Sequence, residues 1–395
     1  MKKYVSILLV FSLLLIFSAC SNNSETSSDE SEQLNGSVIY FNSDPDLSEQ
    51  WNLIAEKYTE ETGVPVVIQS VPNSDYSETL TQMLNSESAP TLFDVHSIAE
   101  FKQNLDYCYD LTGAKVLNQL ITNAYSLSNS FKWNAENGFS AVGYSLTSCG
   151  LLYNNKLLEQ AGYHIRDIQN YSTLQHVITD IQSRREELGL VNAVAPIQLS
   201  STDRTSDFYS NLYNVAAFPY LEKNGFADIQ YIEDASNVMQ NLNDLLSVSG
   251  GTFASSTDVN GFINGNYVFC FSSIDSYNND MRERIGYENL GILPLYTGSA
   301  DEDKQGLCTN AVRYWCVNKN ADKDDISATL DFLSWIAENE YSNDILEFEM
   351  GIHTPFVNSA TSTNPLVASM IESLATRKNP MVNYLDVGFD YSWIR

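Results

Sequence analysis

The chain has 395 residues, of which 43% are hydrophobic and 18% charged, so it is long enough for two or more domains with ordinary globular cores. Its formal net charge of -29 at pH 7 argues against binding to nucleic acid or to an anionic lipid surface, because such a protein repels phosphate. The charge favours a neutral or cationic partner without naming one.

The first predicted element is an export signal over residues 1–19. Lys2 and Lys3 precede the apolar run 5–17, and two small residues lead to Cys20. The run is shorter than the roughly 20 residues that a membrane span needs. Removal of this segment, which carries two lysines and no acid, would change the net charge from -29 to -31.

The residues around Cys20 predict lipidation. Ser-Ala-Cys resembles the end of a bacterial lipobox, although Phe17 stands where leucine is usual. An ordinary signal peptide cut near Ala19 is the alternative. Residues 20–37 are then a lipidated cysteine followed by a polar, acidic tether that has too few apolar side chains to build a core.

Strands and helices alternate in the next part of the chain. Such alternation indicates βαβ units and a mostly parallel sheet. The predicted elements are a strand over 36–41, a polar turn over 42–46, a helix over 48–62 ended by Gly63, a strand over 64–68, a helix over 76–84 and a strand over 91–95.

The rest of the chain continues this pattern without an internal repeat or a long linker. Domain boundaries therefore cannot be deduced from a linker. The predicted elements are an extended segment over 139–153, helices at 155–161 and 174–188, a largely helical stretch over 201–247, strands at 262–271 and 290–295, a surface loop over 298–306, a strand at 313–318 and a helix over 324–338.

Five cysteines follow Cys20, and an odd number leaves at least one thiol outside any pair within the chain. Outside the cell others can pair. Cys308 and Cys316 are close in sequence and can bridge a short loop; alternatively, all five are small buried hydrophobic residues. No CxxC pair or Cys/His cluster predicts zinc. The five are Cys108, Cys149, Cys270, Cys308 and Cys316.

Motifs of catalysis are missing from the sequence. The four histidines form no HExxH, and neither a GxSxG elbow nor a glycine-rich phosphate loop occurs. With 50 carboxylates an acidic pair can be drawn almost anywhere, so such pairs do not indicate a glycosidase. The run 301–303 reads as a solvated acidic surface rather than a calcium loop. The sequence thus predicts no catalytic residue, no metal and no bound cofactor.

Five segments together resemble a known family. They are VIYFNSDPD, APTLFDVHS, SCGLLYNNKLLEQAGY, GFINGNYVFCFSS and RYWCVNKNADKDDISATLDFLSWIAENE. In this order and spacing they are similar to the extracellular solute-binding proteins of bacterial ABC importers, in the carbohydrate-binding group that includes maltose-binding protein. The resemblance covers residues 38–395.

The resemblance implies an α/β, periplasmic-binding-protein-like fold. Two α/β lobes with mostly parallel sheets would be joined by a three-crossing hinge, with ligand in the cleft between them. The crossings are expected near 146–149, 308–313 and 351–356. One lobe would then comprise residues 38–146 plus about 312–352, and the other about 147–311 plus 353–395.

Candidate ligand residues lie at strand ends and near the crossings, because open α/β sheets bind ligands beyond the carboxyl ends of their strands. Sugar recognition combines aromatic faces with planar polar groups. Trp315 can equally fill the core, and Asp44 and Asp94 can cap helices. Tyr277 is expected to stack on the sugar, because the family commonly has tryptophan where this chain has Ile274-Asp275. The candidates are Asn42, Ser43, Asp44, Asp94, His96, Trp133, Tyr144, Ser273, Asp275, Tyr277, Tyr314 and Trp315.

These patterns together predict a monomeric binding lipoprotein rather than an enzyme. It would sit on the outer face of a cell membrane, of Gram-positive type, held by the lipid on Cys20, and would bind no nucleic acid. Its ligand would be a carbohydrate, an oligosaccharide, which it delivers to an ABC permease. The alternatives are a binding protein of the same fold for a peptide, polyol or polyamine, and a secreted glycosidase.

Overall fold

A computed structural model describes residues 35–121, 140–196, 258–296 and 305–376, together with a few positions between these ranges and the backbone of 379–381. The strands are β1 Val38–Asn42, β2 Val66–Ser70, β3 Leu92–Val95, β4 Val142–Asn154, β5 Phe269–Ser273, β6 Leu290–Leu293, β7 Gln305–Val317 and β8 Asn379–Met381. The helices are α1 Ser48–Thr62, α2 Asn73–Leu84, α3 Ile98–Asn104, α4 Asn155–Gln160, α5 Tyr171–Ser183, α6 Val259–Ile263, α7 Asn279–Arg284, α8 Lys323–Glu338, α9 Glu340–Asp344 and α10 Pro365–Ala375.

One eight-stranded sheet, in the order β2-β1-β3-β7-β4-β5, organises the described residues. β1 pairs in parallel with β2 and β3, whereas β7 runs antiparallel to β3 and to β4. β6 pairs with the far end of β4, and β8 lies parallel to β7. The α/β fold class is thus confirmed, with a sheet that mixes both strand directions.

Helix α1 shows how local sequence builds this architecture. Its buried residues are Trp51, Ile54, Ala55 and Tyr58, and this spacing places them on one face of a helix. Gly63 ends the helix with a φ of 78°, a left-handed conformation that glycine adopts without a steric penalty. The predicted bounds of this helix are those of the structure.

β4 and β7 are much longer than the other strands, at 13 residues each. The first part of β4 pairs with β7, from Val142 opposite Trp315 to Cys149 opposite Cys308, with register shifts between Gly143 and Leu146. The second part of β4 leaves β7 and pairs with β5 on one side and β6 on the other. β4 therefore runs continuously from one part of the sheet into the other.

Residues in the β4–β5–β6 part of the sheet are buried on both faces. Leu151 belongs to a core cluster with Leu158 of α4 and Leu174 of α5. Its neighbour Leu152, which points to the opposite face of the strand, belongs to a larger cluster with Met281 of α7. That larger cluster continues along the sheet to β1, α1 and α8.

A third segment runs close to β4. Leu146 N donates to His353 O at 2.8 Å, and Ile121 N donates to Pro355 O at 2.9 Å. Phe356 forms an isolated antiparallel bridge with Leu120. The stretch 353–356 thus lies beside the place where β4 passes from one part of the sheet to the other.

Three predicted elements differ from the structure, and the predicted helix 174–188 is α5, which spans Tyr171–Ser183. The predicted strand 262–271 is a strand only from Phe269; its first residues end α6, because the Asp258 side chain accepts from Gly261 N and Gly265 turns the chain with a φ of 80°. The predicted loop 298–306 and strand 313–318 are wrong in extent, because β7 begins at Gln305. The predictions for 1–34 and most of 201–247 lie outside the described residues.

Candidate functional site

Polar side chains from the carboxyl ends of β1 and β3 meet at one edge of the sheet. Ser43 Oγ and His96 Nε2 are 3.0 Å apart, and His96 Nδ1 is 3.0 Å from Glu100 Oε2. Glu100 also accepts from His96 N at 2.8 Å. Because the two strands are parallel neighbours, their loops emerge side by side. The strand-end rule therefore brings two of the predicted residues together.

An ion pair closes this edge toward β7. Arg313 Nη2 donates to Asp44 Oδ1 at 3.0 Å, and a second contact joins Arg313 Nη1 to Asp44 Oδ2. Asn42 Oδ1 accepts from Asp44 N at 3.0 Å, whereas Asn42 Nδ2 is buried without a hydrogen-bond partner among the described residues. Asp44 makes no side-chain cap, so its alternative role as a helix cap is not seen.

Asp94 lies beneath this edge and is fully buried. Its Oδ1 accepts from the Tyr40 hydroxyl at 2.9 Å and its Oδ2 from the Tyr144 hydroxyl at 3.0 Å. Trp315 Nε1 donates to the Tyr40 hydroxyl at 3.2 Å, and Tyr76 donates to the Asp94 carbonyl at 2.9 Å. The carboxyl is thus held by tyrosines inside the core and makes no helix cap.

Burial governs ionisation in this network. It raises the pKa of Asp94 to about 7, although the positive charge of His96 and the hydrogen bonds from Tyr40 and Tyr144 act in the opposite direction. It also lowers the pKa of His96, but the hydrogen bond with Glu100 and the charge of Asp94 outweigh it, so that pKa is raised overall. A carboxyl with such a pKa often marks catalysis. Here it has no route to a substrate, since both its oxygens are enclosed.

Aromatic rings stack beside Asp94. Tyr144 and Trp315 are parallel with their ring centroids 4.0 Å apart, and Phe356 stacks on the Trp315 ring at 6.1 Å. Trp315 and Tyr144 have no exposed surface, and Tyr314 is 6% exposed. The structure therefore places Trp315 in the core, which is the alternative that the sequence left open.

The remaining predicted residues lie on and after β5. Asp275 is exposed and accepts from Thr147 Oγ1 of β4 at 2.5 Å. Ser273 is half-buried opposite Cys149, and Tyr277 is half-buried with its pKa raised by burial. Asp275 and Ser273 are thus joined to β4 rather than to the β1–β3 edge. Trp133 lies outside the described residues.

Three residues of this region were missed by sequence reasoning. Tyr40, Glu100 and Arg313 hold Asp94, His96 and Asp44 respectively. The Arg313–Asp44 pair spans 269 positions, and no local pattern signals a contact of that separation. A polar tyrosine inside an apolar strand was the one available signal for Tyr40.

A family model for bacterial extracellular solute-binding proteins matches residues 54–369. The chain belongs to this family. Members are binding proteins found outside the cell, which agrees with the resemblance that the sequence carries. No curated protein sequence matches the chain.

Several solved structures resemble this protein closely enough to establish its fold. A family 1 extracellular solute-binding protein from Bifidobacterium longum subsp. infantis has a TM-score of 0.63 at 15% identity, covering 88% of this chain and 89% of its own. The cyclic alpha-maltosyl-1,6-maltose binding protein from Arthrobacter globiformis has 0.62 at 18% identity, covering 87% and 88%. RafE from Streptococcus pneumoniae has 0.63 at 14% identity, covering 92% and 90%.

A separate cavity of about 1010 Å³ lies elsewhere in the solute-binding protein, between α10, the end of β6 and the start of α5. Tyr153, Tyr171 and Tyr296 contribute to its wall, and Gln305 lines it with Oε1 lacking a hydrogen-bond partner among the described residues. None of the predicted ligand residues lines this cavity.

Neither a metal site nor a membrane span is found in the part of the chain that the structure describes. No three histidine, cysteine or acidic side chains are grouped there as ligands of an ion. None of the helices described is both long enough and apolar enough to cross a bilayer.

Proposed function

We propose that this solute-binding protein captures an oligosaccharide outside the cell and delivers it to the permease of an ABC importer. Family membership is the observation that carries the proposal. The ligands of structural relatives supply the substrate class: the Arthrobacter protein binds a cyclic maltosyl-maltose, and RafE is known in complex with raffinose. Polar groups at the carboxyl ends of β1 and β3 provide the kind of surface that binds sugar hydroxyls.

The proposal includes two lobes. One comprises residues 38–146 plus about 312–352, and the other about 147–311 plus 353–395. The continuous passage of β4 and β7 between the two parts of the sheet supports this division, as does the position of 353–356 beside Leu146. Ligand would lie between the lobes and select the closed arrangement.

Within that cleft we assign ligand contacts to the accessible members of the predicted set. Asp44 and His96 retain 19% and 23% side-chain exposure, and Asp275 is exposed. Ser273 and Tyr277 complete the second side. Asn42, Asp94, Tyr144, Tyr314 and Trp315 are buried and would support these residues from behind rather than touch the sugar.

The alternative ligands and activities find less support. A polyamine site needs carboxylates that lack a cationic partner, whereas Asp44 is paired with Arg313. A glycosidase needs an acid that reaches its substrate, whereas the one carboxyl with a strongly raised pKa in the described chain, Asp94, is enclosed by tyrosines.

A thermal-shift screen of the protein from residue 21 onward tests the oligosaccharide proposal. Raffinose, stachyose and maltodextrins are the probes, with peptides and spermidine as controls. A sugar at 100 times its dissociation constant stabilises the fold by about 2.7 kcal/mol, which raises the melting temperature by a few degrees. A rise in melting temperature with spermidine alone would mean that the ligand is a polyamine and not an oligosaccharide. Release of smaller sugars would indicate a hydrolase.

Calorimetry with a sugar that the screen identifies tests the proposed role of Asp275. We expect Asp275→Asn to weaken sugar binding by about tenfold or more, since a charge-assisted hydrogen bond contributes about 1.5–3 kcal/mol. Asp280→Asn is the matched control, because Asp280 is an exposed acid on α7, outside the proposed cleft. Equal affinity of Asp275→Asn and the wild type, measured by calorimetry, would remove Asp275 from the site.

We further propose that Cys20 is lipidated and that the protein functions as a monomer on the outer face of the membrane. The Ser-Ala-Cys sequence after an apolar run supports this. Cells fed an alkyne fatty acid are expected to label the wild type and not Cys20→Ala, while Cys108→Ala keeps the label. Release of unlabelled wild-type protein into the medium would show instead that residues 1–19 are an ordinary signal peptide, cleaved without lipidation of Cys20.

A further inference from the structure

Two cysteines face each other where β4 and β7 part. Cys149 and Cys308 are directly opposite in the antiparallel register, at the last pair before β4 leaves β7, and on its other side Cys149 already pairs with Ser273 of β5. Opposite residues in an antiparallel pair have Cα atoms about 4.5–5.5 Å apart and project to the same face. That separation lies within the range of about 4.4–6.8 Å seen across disulfides.

The preceding pair shows that the two strands are close at this point. Ser148 Oγ and Thr309 Oγ1 are 2.9 Å apart, and Ser148 Oγ also donates to Cys308 O at 2.9 Å. The register at Cys149 and Cys308 is therefore continuous with side chains already in contact. Both cysteines are buried, at 9% and 6% exposure.

A second pair lies at the other end of β7. The thiols of Cys108 and Cys316 interact with each other, Cys108 Sγ donates to Asn104 O at 3.4 Å, and Cys316 is fully buried. Cys108 forms an antiparallel bridge with Asn318, two residues beyond Cys316. Burial raises the pKa of the Cys316 thiol, so the reactive thiolate is disfavoured in the folded core.

We propose that this protein carries two disulfides, Cys149–Cys308 and Cys108–Cys316, formed as the exported chain folds. In each, the two thiols lose two protons and two electrons and gain one S–S bond. The acceptor is a disulfide of an external oxidant, R–S–S–R, which is reduced to two R–SH by thiol–disulfide exchange. The location of the family outside the cell provides the oxidising compartment.

The same geometry excludes the pairing that the sequence suggested. Cys308 and Cys316 both lie on β7, eight positions apart, which separates them by about 26 Å along an extended strand. They do not bound a loop. Cys270 lies opposite Leu152 on β5 and remains the odd thiol.

The Cys149–Cys308 bond would fix the register of β4 and β7 at the end of their pairing. The two strands could then bend together but could not slide or separate there. Cys108–Cys316 would join β7 to the segment that follows α3. Each bond closes a long loop, and restricting the unfolded chain in this way is the main source of disulfide stabilisation.

Peptide mapping of the exported full-length protein tests the proposal. The protein is alkylated without reduction and digested with trypsin, which cuts after Arg313 and so separates Cys308 from Cys316. We expect peptide 133–156 linked to 305–313, peptide 103–115 linked to 314–319, and Cys270 alkylated. Alkylation of all five cysteines, or a link that includes Cys270, would overturn the proposal.

Variants separate the two bonds. Cys149→Ser is expected to leave Cys308 alkylated and the 103–115 to 314–319 link intact, and Cys108→Ser should do the converse. Reduction should lower the melting temperature of the wild type by about 5 °C or more, and that of Cys270→Ser equally. If reductant leaves the melting temperature of the wild type unchanged and no linked peptides are found, the four cysteines are buried core residues that form no disulfide.

Discussion

Trp315→Ala is expected to lower the free energy of unfolding by about 3–5 kcal/mol, the range for removing a large aromatic ring from a core. Trp315 has no exposed surface, and its ring lies 4.0 Å from the Tyr144 ring with an interplanar angle of 7°. Its indole N–H donates to Tyr40. Loss of the ring leaves a cavity beside Asp94 and removes one donor from the tyrosine that holds it.

Urea unfolding followed by circular dichroism measures this loss. Trp335→Ala is the matched control, because Trp335 is only half-buried and its Nε1 donates to Glu61 at the surface. We expect the control to lose less than half as much stability. A loss below about 1 kcal/mol for Trp315→Ala would mean that the stacked rings are not a packed core.

The stability of this protein is expected to fall as pH rises from about 4 to 7. Asp94 has its ordinary pKa of 3.8 in the unfolded chain and a pKa of about 7 in the folded one. The folded state therefore binds the extra proton between these values, and each pH step upward costs stability. At about 1.4 kcal/mol per pH unit, the loss of stability caused by Asp94 reaches roughly 4 kcal/mol by pH 7. This Asp94 contribution does not change further above pH 7.

His96 acts in the same direction. Its folded pKa is raised, so the stability it contributes when protonated is lost as pH rises through that pKa. The lowered pKa values of Glu61 and Asp180 belong to an exposed and a partly exposed acid, whose contributions change only in more acidic solution.

Urea midpoints at pH 5 and pH 8 check this slope. The wild type should be less stable at pH 8, and Asp94→Asn should lose most of the difference because its amide does not titrate. His96→Gln is the companion variant and should keep the Asp94 part of the slope. Rising stability over this interval in the wild type would contradict the buried, protonated state of Asp94.

Local sequence was sufficient to predict elements whose signals are local. The apolar spacing in α1 and the glycine that follows it define that helix, and the strand ending at Val95 was likewise read from its composition. β7 could not be delimited in this way. Its first half is polar and glycine-containing, and its strand conformation comes from pairing with β4, more than 150 positions away in sequence.

The candidate site was predictable only as a region. The strand-end rule located Ser43 and His96, which meet, because parallel strands fix where their loops emerge. It could not separate a side chain that faces solvent from its neighbour that faces the core. Asp94 therefore stood beside His96 as an equal candidate, although the structure buries the first and leaves the second partly exposed. Asp94 is enclosed by Tyr40 and Tyr144, which come from other strands of the sheet, so its burial cannot be deduced from the local sequence.

β4 gives side chains to both hydrophobic clusters, Val142 and Tyr144 to the larger and Cys149 and Leu151 to the smaller. A single strand is therefore a structural member of two cores at once. Substitutions in one cluster therefore affect the other. Any substitution that shifts β4 along its axis disturbs the packing of both clusters. Recombination that exchanged one core between relatives would have to bring the whole of β4 with it.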